Sequence, residues 1–275
     1  MVDILLSTYN GELYLRDLID SILCQSYNQW HLWVRDDYSC DSTRAIIEEY
    51  IALYPNRISF LQDDHSNVGC LRSFEILLKQ ATAPYIMFAD QDDVWLPDKI
   101  KHALHVMQDA ELTTDKDTPI VVYSDLSVVD EQLQPIHSSF WEMAKIRPAL
   151  LDSPQKLASN NFVTGCTMLF NQACKRVSIP FGHHAILHDA VMALSVLVHG
   201  GKLLYNPHVD ILYRQHAGNV VGANRVGGVR YVLRKIQQLP RLVRFYERMY
   251  AQAKDIFVIS RYEFYTNRLM YLLRR

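Results

Sequence analysis

Long apolar runs are missing from this chain. The most continuous one, Val191 to Val198, falls far short of the ~20 residues that span a bilayer. The opening residues MVDILLSTYN place no basic segment ahead of an apolar one, so a signal peptide is not expected. The five cysteines (Cys24, Cys40, Cys70, Cys166 and Cys174) are odd in number and form no CxxC pair. That speaks against a disulfide framework or a structural zinc site. No N-x-S/T sequon occurs. These absences lead us to expect a soluble or peripheral protein of the reducing cytoplasm. Glycine and proline number ten each and form no tract, which excludes collagen-like and linker sequences. Also missing are G-x-G-x-x-G after the first strand, G-x-x-x-x-G-K, G-x-S-x-G and H-E-x-x-H. Dinucleotide-binding, P-loop, α/β-hydrolase and zincin chemistries therefore lack their signatures. A ligand of such a chain has to be held by side chains at strand ends, where open α/β sheets place their ligands.

What is present is a normal globular composition. The chain has 275 residues, 49% hydrophobic and 21% charged, enough for one packed α/β domain with a short appendage. Asp3 to Ser7, His31 to Arg35, Ile58 to Gln62, Tyr85 to Ala89 and Ile120 to Ser124 read as short buried strands. Between them, helical spacing appears at Leu15, Leu18, Ile19, Ile22 and Leu23, at Ile46, Ile47, Tyr50 and Ile51, and from Gly69 to Ala81. Asp41 or Ser42 is placed to cap the second of these helices. Pro97 is placed for the first turn of another. Alternation of this kind predicts a mostly parallel sheet flanked by helices. Further strands are expected at Gly165 to Phe170 and Val209 to Tyr213, with a helix from His188 to Val198. From Gly228 onward the pattern is helical, with Pro240 as a break.

Charge is unevenly distributed. From Arg225 to the end there are twelve Lys+Arg against three Asp+Glu, whereas the whole chain sums to −2. The tail carries Arg230, Arg234, Lys235, Arg241, Arg244, Arg248, Arg261, Arg268, Arg274 and Arg275 among Tyr231, Leu239, Leu242, Phe245, Tyr246, Tyr250 and Phe257. It reads as amphipathic helices suited to an anionic membrane surface, with an oligomer interface or a solvated basic face as the alternative. Nucleic acid is not expected as a partner, because the acidic remainder would steer phosphates away.

The most informative segment is Phe88-Ala89-Asp90-Gln91-Asp92-Asp93, an apolar strand running into three carboxylates. Clustered carboxylates repel, and a bound cation relieves the repulsion. An all-oxygen set suits Mg²⁺ or Mn²⁺, which take substrate phosphate oxygens as further ligands. The plain alternative is a solvated acidic turn ahead of a helix. A second strand ends in Arg35-Asp36-Asp37. A carboxylate there can accept a hydrogen bond from a pyrimidine N3–H.

In order and spacing, these pieces resemble an inverting, nucleotide-sugar-dependent glycosyltransferase of family 2. The matching segments are Ser7-Thr8-Tyr9-Asn10, Arg35-Asp36-Asp37-Tyr38-Ser39-Cys40-Asp41-Ser42-Thr43, Asn67-Val68-Gly69, Asp90-Gln91-Asp92-Asp93, His188-Asp189 and Tyr213-Arg214-Gln215-His216. The bacterial rhamnosyltransferase-like group, which builds surface polysaccharides, is the nearest flavour. The resemblance implies a GT-A fold over residues 1–224, with 225–275 as a basic helical extension. It implies that Thr8, Tyr9 and Asn10 frame the nucleotide and that Asp36 pairs with the pyrimidine. Asn67 and Arg72 would lie near the base or phosphates, and Asp90 near the ribose or a metal-bound water. Asp92 and His216 would hold Mg²⁺ or Mn²⁺ on the diphosphate, and Asp189 would be the catalytic base. Asp125, Trp141, Thr164, Gly165 and His188 would face the acceptor, a glycan or lipid-linked glycan such as a growing O-antigen or capsule. Asp189 would also suit the N-terminal end of a helix as a favourable charge. Two departures are Tyr38, where the family usually has Gly, and His188, where Glu is commoner. A dTDP- or UDP-linked donor is implied, since both present the same pyrimidine edge. The alternatives are a sugar-phosphate nucleotidyltransferase, a nucleic-acid- or anion-binding protein that uses the tail, and a catalytically dead carbohydrate-binding domain. The first would usually carry a Gly-rich basic loop, but Ser7-Thr8-Tyr9-Asn10-Gly11 has one glycine and no basic residue.

Overall fold

A computed structural model describes residues 1–63, 66–216 and 229–275, apart from the side chains of 229–239. The elements run β1 (Val2–Thr8), α1 (Leu15–Leu23), β2 (Trp30–Asp36), α2 (Thr43–Leu53), β3 (Ile58–Phe60), α3 (Cys70–Gln80), β4 (Tyr85–Asp90), β5 (Val94–Trp95), α4 (Lys99–Glu111) and β6 (Ile120–Tyr123). They continue with β7 (Ser127–Val129), β8 (Pro135–His137), α5 (Phe140–Ala144), α6 (Pro154–Ala158), β9 (Leu169–Asn171), α7 (Gln172–Ser178), α8 (His188–Val198), β10 (Lys202–Tyr205), β11 (Ile211–Arg214), α9 (Val229–Ile256) and α10 (Arg261–Arg274).

Seven strands form the large sheet in the order β10-β6-β9-β4-β1-β2-β3. All are parallel except β9, which pairs antiparallel with both β4 and β6. Ile4, Leu5 and Leu6 of the central β1 are fully buried, as a parallel strand covered on both faces requires. On one face Leu15, Leu18, Ile19 and Ile22 of α1 pack with Ile46, Ile47 and Tyr50 of α2 and with Leu104 and Met107 of α4. On the other, Phe74, Leu77 and Leu78 of α3 meet Val191, Met192 and Val196 of α8 over Phe88 and Phe170. The register Ser7↔Arg35, Thr8↔Asp36 and Ser7↔Asp90 brings the ends of β1, β2 and β4 level. The loops that follow them therefore meet at one edge.

A second sheet, ordered β5-β11-β7-β8, was not anticipated from the sequence. Its strands are two to four residues long, too short to show a period. Where a strand was expected from Gly165, the chain makes a 3₁₀ turn at Gly165–Thr167 before β9 begins. Pro97 lies ahead of α4, whose flanking residue is Asp98. Pro240 does not break the tail: α9 runs through it. A helix can pass a proline at the cost of one backbone hydrogen bond. For α2, Asp41 receives the Thr43 N–H at 3.0 Å, while Ser42 makes no side-chain cap.

The C-terminal helices fold back on the body. Met249 and Ala253 of α9 and Phe264 of α10 are buried with Ala158 and Leu194. Tyr271 accepts the Arg147 backbone N–H at 2.9 Å. Arg225 and the side chains of Arg230, Arg234 and Lys235, on which part of the basic-tail reading rests, lie outside the described residues. Among the described residues, no helix is long and apolar enough to cross a membrane.

Candidate active site

The loops after β1, β2 and β4 are fastened to one another by their own polar groups. Gln91 Oε1 accepts the Tyr9 N–H at 2.8 Å, and its Nε2 donates to the Tyr9 carbonyl at 3.0 Å. A Cβ on Gly11 would fall 2.5 Å from Gln91 Oε1, so a larger residue there would displace the Gln91 amide from Tyr9. Asn10, at φ +48°, accepts the Cys40 N–H through its side chain and donates its own N–H to Ser39 Oγ. Tyr38, the departure noted at a usual glycine position, adopts φ +70° with its ring exposed. The backbone there keeps the left-handed turn that glycine would make without a steric penalty.

Beneath these loops lies a buried ion network. Arg35, fully buried, donates to Asp37 and Asp63 at 2.7 Å each and to Ser73 Oγ. Asp37 also accepts the Val68 and Gly69 N–H groups. Arg35 and those amides hold its carboxyl below the usual range despite burial. Asn67 reaches back to the Asp37 carbonyl at 2.9 Å. Asp36 accepts from Thr8 Oγ1 at 2.9 Å and from the Ser39 N–H and Oγ.

The acidic end of β4 stands where the chain leaves the large sheet for β5 of the small one. Burial, and then the charges of Asp92 and Asp189, push the Asp90 carboxyl up to about 7. Behind it Asp93 is fully buried; its Oδ1 accepts the Arg214 N–H at 3.2 Å, and its Oδ2 has no hydrogen-bond partner among the described residues. Burial and the neighbouring carboxylates raise Asp93 well above the ordinary range. Asp92 receives His216 Nε2 at 2.8 Å. Arg214 sets this approach: it donates to the Asp92 carbonyl, to the Glu131 carbonyl and to Asp17 of α1, and lies 4.5 Å over the Tyr14 ring.

Two donor sets could hold a cation. Asp92 and His216 pair at the cavity surface, and Asp90, Asp93 and Cys166 bring ligand atoms within 4.8 Å of one another just behind. Burial, Asp93 and Asp90 all disfavour a Cys166 thiolate, and a hard ion needs open positions for phosphate oxygens. The Asp92–His216 pair fits that requirement. Asp93 entered from the sequence only as a member of the acidic run, and Cys166 received no role. They lie 73 positions apart in the chain, and no local pattern joins them.

Asp189, in the first turn of α8, accepts from the Ala190 N–H, from the Gly165 N–H at 3.2 Å and from Asn161 Nδ2 at 3.2 Å. Burial outweighs these donors and pushes its carboxyl up to about 6. His188 packs against the rings of Phe74 and Phe88, at centroid distances of 4.4 and 4.8 Å, and the two phenyl rings also touch each other. Burial pushes it down to about 4, so it is neutral at physiological pH. Its Nε2 is buried without a partner among the described residues.

A cavity of about 780 Å³ joins these groups, a size typical of sites that bury a small-molecule ligand. Of the residues singled out from sequence, Thr8, Tyr9, Asn67, Asp90, Asp92, Thr164, Gly165, His188, Asp189 and His216 line it. Asn10, Asp36, Arg72, Asp125 and Trp141 stand outside its lining. Arg72 is taken up by Glu75 and the carbonyls of Phe181 and Gly182. Asp125 accepts from Ser139 Oγ and from the Leu126 and Trp141 N–H groups. Trp141 packs among Tyr123, Phe162 and Tyr205. Sequence reasoning gave no place at the site to Phe245, Tyr246, Met249 and Arg268 of the last two helices, which also line the cavity.

A parallel sheet whose strand ends carry carboxylates around one cleft defines the class of the GT-A enzymes, and solved structures share this fold. Staphylococcus aureus TarS 1-349 in complex with UDP-GlcNAc superimposes with a TM-score of 0.62 at 16% identity, over 98% of this chain and 72% of that one. The mannosyltransferase PcManGT from Pyrobaculum calidifontis, in complex with GDP-Man and Mn²⁺, gives 0.60 at 16% identity, over 99% and 74%. The family model for glycosyl transferase family 2 matches residues 3–177. The chain belongs to that family and is a glycosyltransferase.

Among curated relatives, the dTDP-rhamnosyl transferase RfbG of Shigella flexneri is 29% identical over 236 residues, 80% of this chain and 74% of that protein. The Escherichia coli UDP-Glc:alpha-D-GlcNAc-diphosphoundecaprenol beta-1,3-glucosyltransferase WfaP is 26% identical over 221 residues, 80% and 79% of the two. The match spans about half the length of several others, such as 52% of the putative glycosyltransferase EpsE of Bacillus subtilis.

Proposed function

We propose that the chain is an inverting transferase that moves a sugar from a pyrimidine nucleotide-sugar to a hydroxyl of a growing surface polysaccharide. The dTDP-linked, rhamnose-like donor is preferred because a dTDP-rhamnosyl transferase is a relative over most of the chain. The observation that carries the reading is that Asp189 and the Asp92–His216 pair, from separate elements, open onto one cavity.

Inversion is a single in-line displacement, and it needs help on both sides of the sugar. Asp189 accepts the proton of the incoming hydroxyl, and its neighbours at Asn161, Gly165 and Ala190 hold the carboxylate in place. Asp92 and His216 hold Mg²⁺ or Mn²⁺, which when bound supplies electrostatic stabilisation of the departing diphosphate. Thr8 and Asn67 position the nucleotide, and Asp36, just outside the cavity lining, takes the pyrimidine N3–H as the base extends over the β2 end. Tyr9, half exposed beside Thr8, flanks the base. Thr164 and Gly165 stand on the acceptor side. The acceptor is a lipid-linked glycan. Exposed Leu269, Met270, Leu272 and Leu273 beside Arg274 and Arg275 on α10 support contact with an anionic membrane surface.

A thermal-shift series with dTDP- and UDP-sugars, with and without Mn²⁺, tests the reading. The correct donor raises Tm through ligand linkage, and Asp92→Ala abolishes the part of that rise that depends on the metal. If no pyrimidine nucleotide raises Tm, the reading is wrong.

A further inference from the structure

Part of the cavity wall is built by the C-terminal helices, and one charge there lacks a counter-charge among the described residues. Arg268 of α10 lines the cavity, stacks 4.6 Å over the Tyr246 ring and donates to the side chain of buried Asn160. Its Nε is buried with no hydrogen-bond partner among the described residues. No described carboxylate forms an ion pair with it, although the arginines and acids of other pairs on these helices, such as Arg261 and Glu247, do find each other. Arg268 is half-buried in a mostly apolar wall, so its guanidinium keeps donors that an anion entering the cavity can take.

The position of this charge relative to the base is fixed by one loop. Asn160 binds Arg268, and the next residue, Asn161, donates to Asp189 at 3.2 Å. Asp189 and Arg268 are therefore held by consecutive residues and line the same cavity. A guanidinium fork matches the paired oxygens of a phosphate. The surroundings favour a phosphate on a lipid over the carboxylate of an acidic sugar. Phe245, Tyr246 and Met249 continue the wall in apolar form. On α10 itself Phe264, Arg268 and Tyr271 face inward, while Leu269 and Leu273, at 56% and 72% exposure, face out.

We infer that Arg268 is a binding residue for a phosphate carried by the acceptor, and that the acceptor's lipid chain leaves the cavity along the apolar outer side of α10. This rests on the transfer reaction proposed above and assigns its acceptor half to the last two helices. Arg268 holds the phosphate and leaves the donor side unchanged.

Calorimetric titration tests it with decyl diphosphate, inorganic pyrophosphate and uncharged decyl glucoside as probes, each with and without saturating UDP and Mn²⁺. Wild-type protein is expected to bind decyl diphosphate with UDP present. Arg268→Gln should weaken this at least tenfold, and Arg268→Lys less. Decyl glucoside should bind the wild type and Arg268→Gln alike, and the UDP affinity of Arg268→Gln should stay within twofold of wild type. Equal binding of decyl diphosphate by wild type and Arg268→Gln, or none by either, overturns the inference. So does a parallel loss of UDP affinity, which would mark Arg268 as merely structural. Pyrophosphate binding as tightly as decyl diphosphate, with the same dependence on Arg268, would overturn the lipid assignment. If UDP fails to bind the wild type the titrations are run with dTDP, and if neither binds, the proposed function fails instead, which is a separate result.

Discussion

Replacing Asp189 by Asn removes a titrating group without changing its shape, and the structure fixes what should follow. In the folded protein burial raises the Asp189 carboxyl from its ordinary 3.8 to about 6. The charged form is disfavoured by folding, so the wild type loses stability as pH climbs from about 4 to above 6, and the Asp189→Asn variant would not. The two-unit difference corresponds to about 3 kcal/mol at most. Water in the open cavity brings it toward about 1–2 kcal/mol. Hydrogen bonds lost or gained by the amide add an offset at both ends of the pH range, and the change in the gap with pH carries the Asp189 ionisation together with its coupling to Asp90. Urea denaturation of both proteins from pH 4 to pH 8, without metal or nucleotide, measures it. The gap should move in favour of Asp189→Asn as pH rises, with its midpoint between the two pKa values. Turnover moves the other way. The wild type should gain activity with rising pH up to a plateau above about 6, and Asp189→Asn should lose about 10²–10⁴-fold in rate. A stability gap that stays constant with pH refutes the raised pKa. Wild-type turnover by the variant refutes the base.

Other expected outcomes follow from single contacts. Arg35→Ala leaves the Asp37 carboxylate, 2% exposed, without its cation and should cost about 3–5 kcal/mol in denaturant unfolding at pH 7. Gly165→Ala puts a Cβ 2.5 Å from His188 Nε2, and the ring, packed against both Phe74 and Phe88, has little room to yield. A loss of about 1–3 kcal/mol is expected, with reduced turnover because Gly165 also donates to Asp189. Unchanged Tm and rate in that variant would show that the His188 ring can move. His216→Ala should abolish Mn²⁺-dependent stabilisation by the donor nucleotide while leaving the thermal transition of the ligand-free protein within a few degrees.

Local patterns in the sequence carried much of the architecture. The β1, β2 and β4 strands carry the apolar runs Ile4–Leu6, Leu32–Val34 and Tyr85–Ala89 and end in polar residues, and the α1 stripe of Leu15, Leu18, Ile19 and Ile22 repeats at helical spacing. The resemblance to family 2 rested on the same strand ends, and the large parallel sheet and the family follow from them. Of the small sheet only β11 showed, as the strand expected at Val209 to Tyr213; the other strands, of two or three residues, have no period to read. Nor did the burial of Asp93 beside Cys166, the turn at Gly165 or the inward face of α10 show. Each depends on segments far apart in the chain or on packing that no window of sequence contains. Arg268 illustrates the limit. In the sequence it is one of many basic residues in a charged tail, and only its contact with Asn160, 108 positions away, sets it apart.

The acidic cluster occupies the seam where β4 of one sheet gives way to β5 of the other, and its partner His216 arrives from the end of β11, 124 positions along the chain from Asp92. Both flank paired strands of the small sheet, Asp92 two residues ahead of β5 and His216 two past β11, its antiparallel neighbour. With the metal site proposed above, divalent-ion affinity becomes a gauge of whether β11 has paired with β5: a chain that kept its large sheet but let β11 peel away would still look folded by circular dichroism, yet would be blind to manganese.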